Sequence, residues 1–450
     1  MSKIFCISAG QLITKKTDHI IHRKNRYLNY GLLSLATVLK NNGFESIQIQ
    51  GGFDDPNDTF NTSVSVGLLA SEYPILISIP SFYAVSWVNS FINLVKKALP
   101  QKKIIIGGRW VIDDEVTLMK ELIPLADIIF PGTAEEHILK LITNNPLKSL
   151  KENVINQLDY SLLHERHLYQ PNLEVSRGCG MGCNFCQEKD ERLTNLKSPK
   201  LIVAESHRTI LFDNLTPMNL YFEASLFASK EEWIDELIKH RQQTKQSFKW
   251  RTEARVDSIK VSHLKKLKSA GLEVIDLGLE SANFNQLINM NKTKRPEKYL
   301  SQASRVIEEA YRNNIKVKVN ILLFAGENEE SITSTIDWLD KHKDAITGVS
   351  VGPVIVFGWQ TKIKAYLNAL SVLGASVSHQ PITGITHLDL SSTIDYKSSI
   401  DISKYIGQRY TTSEDYFYLK SFSYFARDYT FEQFNSDCKG IEDQLNFRLV

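Results

Sequence analysis

Cysteine is scarce in this 450-residue chain. There are five in all, and three of them, Cys179, Cys183 and Cys186, fall in one short run. Such a count does not build a disulfide framework. Charge is equally unremarkable in sum: 53 Lys and Arg against 51 Asp and Glu leave a net charge of +2. That balance lacks the basic footprint that nucleic acid attracts, so no nucleic-acid partner is expected. No stretch approaches the ~20 apolar residues of a membrane span. The N-terminal run Ile4–Ser8 is too short for the apolar core of a signal peptide and has no small-residue cleavage pattern behind it. There is no low-complexity tract and no short-period repeat. What remains is an ordinary globular composition, 42% apolar and 23% charged, on a chain long enough for two or three domains. Free thiols suit a reducing compartment, so a cytoplasmic location is expected.

The three clustered cysteines lie in Ser176-Arg177-Gly178-Cys179-Gly180-Met181-Gly182-Cys183-Asn184-Phe185-Cys186. The spacing is C-x3-C-x2-C with an aromatic, Phe185, before the last Cys. Three soft thiolates on one loop are a metal-binding pattern. No fourth Cys is near, since Cys6 and Cys438 are remote in the chain. A 4Fe-4S cluster normally takes four Cys, so three would leave one iron open to a small molecule. The competing readings are three buried thiols or a zinc knuckle completed by His, and the latter would make the chain a non-catalytic metal-binding protein.

Downstream, strand-like apolar runs recur at Asn219–Leu226, Phe248–Glu253, Glu273–Glu280, Lys316–Phe324 and Gly348–Phe357. They alternate with helical patterns at Glu231–His240, Ser262–Ala270, Leu300–Asn313 and Ser331–Lys341. With the strand Asn172–Ser176 that leads into the cysteines, this predicts six βα units, a partial TIM-like barrel over 172–357. The Cys loop then sits at the C-terminal end of the first strand, where such barrels keep their chemistry.

Motif and context together resemble the radical S-adenosylmethionine (SAM) enzymes. The resemblance implies a 4Fe-4S cluster on Cys179, Cys183 and Cys186, with SAM chelated at the open iron. It also implies reductive cleavage of SAM to a 5′-deoxyadenosyl radical, which takes hydrogen from a substrate carbon. An electron donor such as flavodoxin or ferredoxin would be a partner. Phe185 belongs to the SAM site by the same likeness. Leu277-Gly278-Leu279-Glu280-Ser281 resembles the family's G-x-E-S element, making Glu280 and Ser281 candidates for SAM. Glu223 falls where an acidic residue often ends the second strand; a charge in an apolar strand needs a partner in any case. Arg255 is a candidate for the SAM carboxylate, or for a structural pair with Glu280 or Glu253. Gly326, in Phe324-Ala325-Gly326-Glu327, would let backbone approach adenine.

The first 145 residues read as a separate Rossmann-like, doubly wound α/β unit. Strands are expected at Lys3–Ala9, Ser46–Gln50, Ile75–Pro80, Lys103–Ile106 and Asp127–Phe130, with helices at Tyr30–Asn42, Ser86–Leu99 and Glu135–Ile142. This region resembles the cobalamin-binding domain found beside many radical SAM barrels. The matching stretches are Gly31-Leu32-Leu33-Ser34-Leu35-Ala36, Gly43-Phe44, Ile106-Gly107-Gly108 and Pro131-Gly132-Thr133-Ala134-Glu135-Glu136. Gly107, Gly108 and Gly132 would let backbone approach a flat macrocycle, and Ser78 and Ser81 are candidates for its nucleotide tail or ordinary turn serines. The D-x-H-x-x-G signature is absent; Asp18-His19-Ile20-Ile21-His22 does not match it. The resemblance implies methyl transfer from cobalamin to carbon of a small-molecule or peptide substrate, with rearrangement, cyclisation or epimerisation as the alternative.

Residues 146–171 read as a linker, where His164 and His167 sit outside any ligand-spaced pattern. Residues 358–450 read as a small α-rich region crowded with Tyr and Phe. They are expected to pack as a lid on the barrel mouth or to line a substrate pocket. Cys438 is expected to be inert packing; its alternative is hydrogen-atom return to a substrate radical, as in some radical SAM peptide epimerases.

Overall fold

The computed structural model describes residues 2–12, 20–111, 116–143, 158–213, 219–358 and 360–441. The chain divides into two compact units. One holds residues 1–169 with Ala426–Asp428, and the other holds Gln170–Phe425 with 429–450.

The first unit is a five-stranded parallel sheet of β1 (Ile4–Ser8), β2 (Ser46–Gln50), β3 (Ile75–Ser78), β4 (Ile104–Gly107) and β5 (Ile128–Ile129), in the order β2-β1-β3-β4-β5. Every residue of β1 is buried, as a strand covered on both faces requires. Helix Tyr30–Asn41 lays Leu32, Leu33, Ala36 and Leu39 on Ile4, Cys6, Leu76 and Ile105. Asn29 starts that helix by accepting from the Leu32 amide, and Gly43, at φ 87°, ends it. Helix Val85–Ala98 buries Trp87, Val88, Phe91, Ile92 and Val95 completely. A further helix, Pro56–Ser65, is hidden from periodicity because it buries Pro56, Thr59 and Ser63 rather than a stripe of aliphatics; its start is marked instead by Asp55 capping Asn57 and Pro56 at the first turn.

The start of the expected linker, Pro146, lies outside the described residues, as do Asp18 and His19 of the signature-like run. Residues 158–169 pack on the first unit. Leu158, Tyr160, Leu162 and Leu163 join its core, Leu163 bridges Gln48, and Asp159 pairs with Lys40 at 2.5 Å. The change of unit therefore falls at Tyr169/Gln170. His167 is exposed and His164 lends only its backbone, donating to the Gln48 carbonyl.

The second unit is built on six parallel strands in sequential order: β6 (Asn172–Glu174), β7 (Asn219–Glu223), β8 (Lys249–Arg255), β9 (Leu272–Glu280), β10 (Lys316–Leu323) and β11 (Gly348–Pro353). Strand alternation sorts the side chains. Trp250, Leu277, Leu279, Val317 and Val319 face the surrounding helices and build one core with Leu264, Leu267, Val306 and Ile307. Arg251, Glu253 and Arg255 of β8 face the other way, into the partial barrel, beside Asp276 and Lys318. The sixth expected strand is two strands. After β11 the chain leaves the barrel sheet, and β12 (Ile355–Phe357) joins β13 (Ser376–Ile382) and β14 (Ile385–Asp389) in an antiparallel sheet ordered β12-β14-β13. The C-terminal region is therefore not α-rich alone.

Its aromatic part closes the opposite end of the barrel from the one expected. Leu419 and Phe422, in and just beyond helix Ser413–Ser421, pack on Val274 near the start of β9. Arg251, near the start of β8, donates to the Leu419 carbonyl at 2.5 Å. The Tyr424 ring lies 6.1 Å from that of Tyr221. These contacts are at the N-terminal ends of the strands, whereas the Cys loop is at the C-terminal end. The aromatics are a floor plug, and a lid reading does not hold for them. The reason is polar: the buried Arg251–Asp276 pair needs a cover and an acceptor there. Cys438 is buried at the end of helix Phe431–Cys438, whose Phe434 packs on Tyr416 and Phe425.

Candidate active site

The Cys loop leaves the C-terminal end of β6. Gly178, Gly180 and Gly182 have φ of 72°, 65° and 72°, a conformation that side chains disfavour. A β-carbon on Gly178 would meet the Arg192 carbonyl at 2.4 Å. The returning segment holds the loop: Cys179 donates to the Glu191 carbonyl at 3.0 Å and Gly182 to the Lys189 carbonyl at 3.1 Å. A second clamp comes from the turn after helix Phe284–Asn289. Asn184 donates to the Met290 and Asn289 carbonyls, both at 2.8 Å, and Asn291 donates to the Gly182 carbonyl at 2.7 Å. Nothing in the spacing of the sequence points to residues 289–292 as partners of the loop.

Cys183 is buried, while Cys179 and Cys186 are partly exposed, and all three are free thiols. Burial pushes the Cys186 thiol up, against a backbone hydrogen bond at Glu188 and with the charges of Glu188 and the other two cysteines adding to the rise. Among the described residues no three Cys, His, Asp or Glu side chains converge on a point that would hold one metal ion. The donor set fits a polynuclear iron–sulfur cluster, in which each thiolate takes a different iron, better than a single tetrahedral zinc.

Two of the expected SAM residues, Arg255 and Glu280, stand beside this loop, and Phe185 is part of it. Arg255 ends β8 and donates to Cys183 Sγ at 2.9 Å. It forks onto Asp257 at 2.9 and 3.0 Å and reaches the Lys292 carbonyl at 2.7 Å. Its carboxylate partner is thus Asp257, and neither Glu280 nor Glu253. Glu280, at φ 70°, ends β9 and pairs with Lys292 at 2.9 Å. The Lys292 ammonium lies 5.9 Å from the centre of the Phe185 ring, which also packs edge-on to Phe324. Ser281 is different. It is buried, lies 3.3 Å from the Thr335 hydroxyl and accepts from the Asn283 amide, so it shapes the turn that follows β9.

Deeper in the barrel lies a group of carboxylates. Glu223 accepts from Asn172 at 2.6 Å, the partner that its place in an apolar strand demands. Burial, then the neighbouring Glu253 and Glu174, pushes its pKa up to about 8. Desolvation inside the barrel, then Asp276, also raises Glu253, although its side chain still reaches solvent. Asp276 itself stays low against the cost of burial because Arg251 grips it at 2.5 and 2.6 Å and Lys318 stands at 3.2 Å. The floor is therefore neutralised, and the acidic excess sits above it, toward the Cys loop.

Gly326, at φ 84°, donates to the Leu390 carbonyl, and a β-carbon there would meet the Leu373 carbonyl at 2.9 Å. It borders a polar cavity of about 350 Å³ lined by Asn283, Gln286, Asn289, Asn328 and Ser331. Gln286 is buried with its Oε1 unpaired. Glu327 is buried, accepts from Ser331 and from the Phe324 amide, and is pushed up to about 7 by burial.

In the first unit, the five expected residues lie at or just beyond the C-terminal ends of β3, β4 and β5. Gly107 ends β4. Gly108, at φ 113°, has no room for a side chain: a β-carbon would meet the Ile79 backbone at 2.7 Å and Ser78 Oγ at 2.8 Å. Ser78 accepts from Asn29 at 3.0 Å. Ser81 is buried and caps the turn at Tyr83. Gly132, at φ 76°, follows β5 and faces open space. The sequence reading missed Asn29, which also donates to Ser8 at 3.1 Å and so ties β1 to β3 where the strand order reverses. It missed Gly10 and Gly51 as well, whose Cα atoms leave the space that the Trp87 ring fills.

Comparisons agree with this geometry. Residues 173–339 match the model of the Radical SAM superfamily. No curated protein matches the sequence. Among solved structures, the chain is similar to the radical S-adenosylmethionine methyltransferase TsrM from Kitasatospora setae. That structure holds tryptophan substrate and a SAM analog; identity is 14% and TM-score 0.56, over 78% of this chain and 73% of that one. It is also similar to the cobalamin-dependent S-adenosylmethionine radical enzyme OxsB, with 16% identity and a TM-score of 0.58 over 83% of this chain. This chain spans 55% of OxsB. The second unit carries a radical SAM domain. The likeness in fold runs through more of the chain than that unit alone contains, and so takes in the α/β unit before it.

Proposed function

We propose that the chain is a radical SAM enzyme that binds a 4Fe-4S cluster on Cys179, Cys183 and Cys186, SAM beside it, and cobalamin in its first unit. Its reaction would be C-methylation of a small-molecule or peptide substrate. When bound, these groups supply a carbon-centred radical and a transferable methyl group. The observation that carries the reading is the Cys loop at the C-terminal end of β6, which carries three free thiols on one short segment clamped by residues 188–191 and 289–291.

The chain's own residues do the holding. Glu280 and Lys292 offer a carboxylate and an ammonium at the loop, matched to the amino and carboxylate groups of SAM. The polar cavity beside Gly326 presents amide side chains suited to a base, and Phe185 supplies an aromatic wall. Glu223 and Glu253 stand in the barrel where a substrate would lie. In the first unit Gly107, Gly108 and Gly132 keep side-chain bulk away from the strand ends; Ser78 is already engaged by Asn29, and Ser81 by the turn that it caps. A one-electron donor of the flavodoxin or ferredoxin type would be needed. No helix among the described residues is long and apolar enough to cross a membrane.

Anaerobic reconstitution with iron, sulfide and hydroxocobalamin tests the reading. Cobalamin retained through desalting supports methyl transfer. A protein that cleaves SAM and never retains cobalamin would instead catalyse rearrangement, cyclisation or epimerisation.

A further inference from the structure

We infer that Arg255 tunes the electron affinity of the iron–sulfur site, by donating a hydrogen bond and a positive charge to the ligand sulfur of Cys183. This rests on the cluster reading above and goes beyond it, because Arg255 entered the argument as a ligand for SAM.

The guanidinium is not free to serve SAM bidentately. Arginine has five N–H donors. Nε and one Nη2 hydrogen go to Asp257, the other Nη2 hydrogen goes to the Lys292 carbonyl, and one Nη1 hydrogen goes to Cys183 Sγ. A single N–H is left over. Three anchors on different segments fix the plane of the group, which is only 6% exposed. Cys183 is itself the one buried member of the three. A charge held at that contact, away from water, acts more strongly than one at the surface.

The sign follows. Reduction adds one negative charge to the site. A nearby cation and an N–H on a ligand sulfur both favour the more negative form, and such hydrogen bonds and net charge are what set these potentials. Arg255 therefore makes the site easier to reduce. Asp257 is 41% exposed and works against it, since its carboxylate offsets the guanidinium. Arg255 is thus a positioning and tuning residue: it acts through Cys183.

The test is a potentiometric titration of the reconstituted full-length protein, read by the paramagnetic resonance signal of the reduced cluster. Iron content and SAM affinity are measured on the same samples. Arg255→Gln should hold wild-type iron and make reduction about tenfold less favourable, which is about 59 mV more negative for one electron. Arg255→Lys, which keeps the charge and loses the fork, should fall between. Asp257→Asn should move the midpoint the other way, which a merely structural pair does not explain. A wild-type midpoint in Arg255→Gln overturns the inference. If that variant also loses SAM affinity, Arg255 belongs to SAM. If Arg255→Gln assembles no cluster, Asp257→Asn decides: a midpoint unchanged or lowered overturns the inference. A wild-type protein that assembles no cluster overturns the underlying function instead.

Discussion

Lys292 and Glu280 form an ion pair of 2.9 Å at the rim of the Cys loop, with side chains only 4% and 12% exposed. The pair crosses a crowded point, for a β-carbon on Gly278 would meet Glu280 Oε1 at 2.8 Å and Lys292 Nζ at 3.1 Å. Gly278 in the G-x-E-S element is small because these two side chains fold back over it.

That arrangement predicts the behaviour of Glu280→Gln. The amide keeps the shape and one acceptor for Lys292, so fold and iron content should match wild type. SAM affinity should drop about tenfold or more, since a hydrogen bond to a charged group is worth ~1.5–3 kcal/mol. Equilibrium dialysis with labelled SAM checks it. Unchanged affinity would leave Glu280 as the partner of Lys292 alone. Glu280→Ala should also lower the melting temperature, because it strands a buried ammonium.

The glycines of the first unit should separate by their surroundings. Gly108→Ala collides with the Ile79 backbone and strains a φ of 113°, whereas Gly132→Ala meets open space. The first should destabilise the unit by more than the ~1–3 kcal/mol of backbone strain alone and abolish cobalamin retention. The second should cost only that strain. Iron content should be unaffected in both, because the barrel has its own core. Absorbance of bound corrin after desalting, with iron assay and thermal melts, reads all three. Equal effects of the two substitutions would refute the strand-end placement.

Glu223 predicts a pH dependence. Its pKa is about 8 in the folded protein against an ordinary 4.5. Between those values the folded state holds a proton that the unfolded state has released. Stability from this group is thus fully present below about 4.5 and is lost as pH rises to about 8. Glu223→Gln cannot ionise. Without cofactors, its melting temperature should exceed that of wild type at pH 8, and the difference should shrink toward pH 5. A difference independent of pH would show that Glu223 is ionised throughout.

At the barrel floor, Arg251 and Asp276 are each 1% exposed. Arg251→Ala leaves the buried carboxylate with Lys318 as its remaining cation, so the cost should stay below the about 3–5 kcal/mol of a fully broken buried pair. It also removes the donor to Leu419. Proteolysis within Ser413–Ser421 should accelerate in that variant, and an unchanged digestion pattern would contradict the plug.

The fold was largely legible because parallel strands buried on both faces are near-continuous apolar runs, and these stand out at β1, β3, β4 and β9. The loop Cys179–Cys186 was legible because its spacing is itself the chemistry. Other features carry no local signal. Arg255 was visible as a residue, but its contact with Cys183 joins positions 72 apart in the chain. The clamp from Asn289 and Asn291 uses backbone carbonyls and common amides. Helix Pro56–Ser65 lacks an apolar stripe, and within the stretch 146–171 read as a linker, Leu158, Tyr160, Leu162, Leu163 and Tyr169 fill a core that only the fold reveals. The aromatic tail was recognised as packing, yet its composition could not say which end of the barrel it fills; the buried Arg251 decides that.

The central claim is that the thiols of Cys179, Cys183 and Cys186 hold a cluster that opens SAM reductively. The most direct measurement is anaerobic reconstitution of wild type and Cys183→Ala, with iron, sulfide and zinc counted per chain and 5′-deoxyadenosine counted after addition of SAM and dithionite. Wild type should hold about four iron and four sulfide and release 5′-deoxyadenosine. Cys183→Ala should lose most of the iron and all of the product. One zinc per chain without sulfide, or full iron and product in Cys183→Ala, would contradict the account.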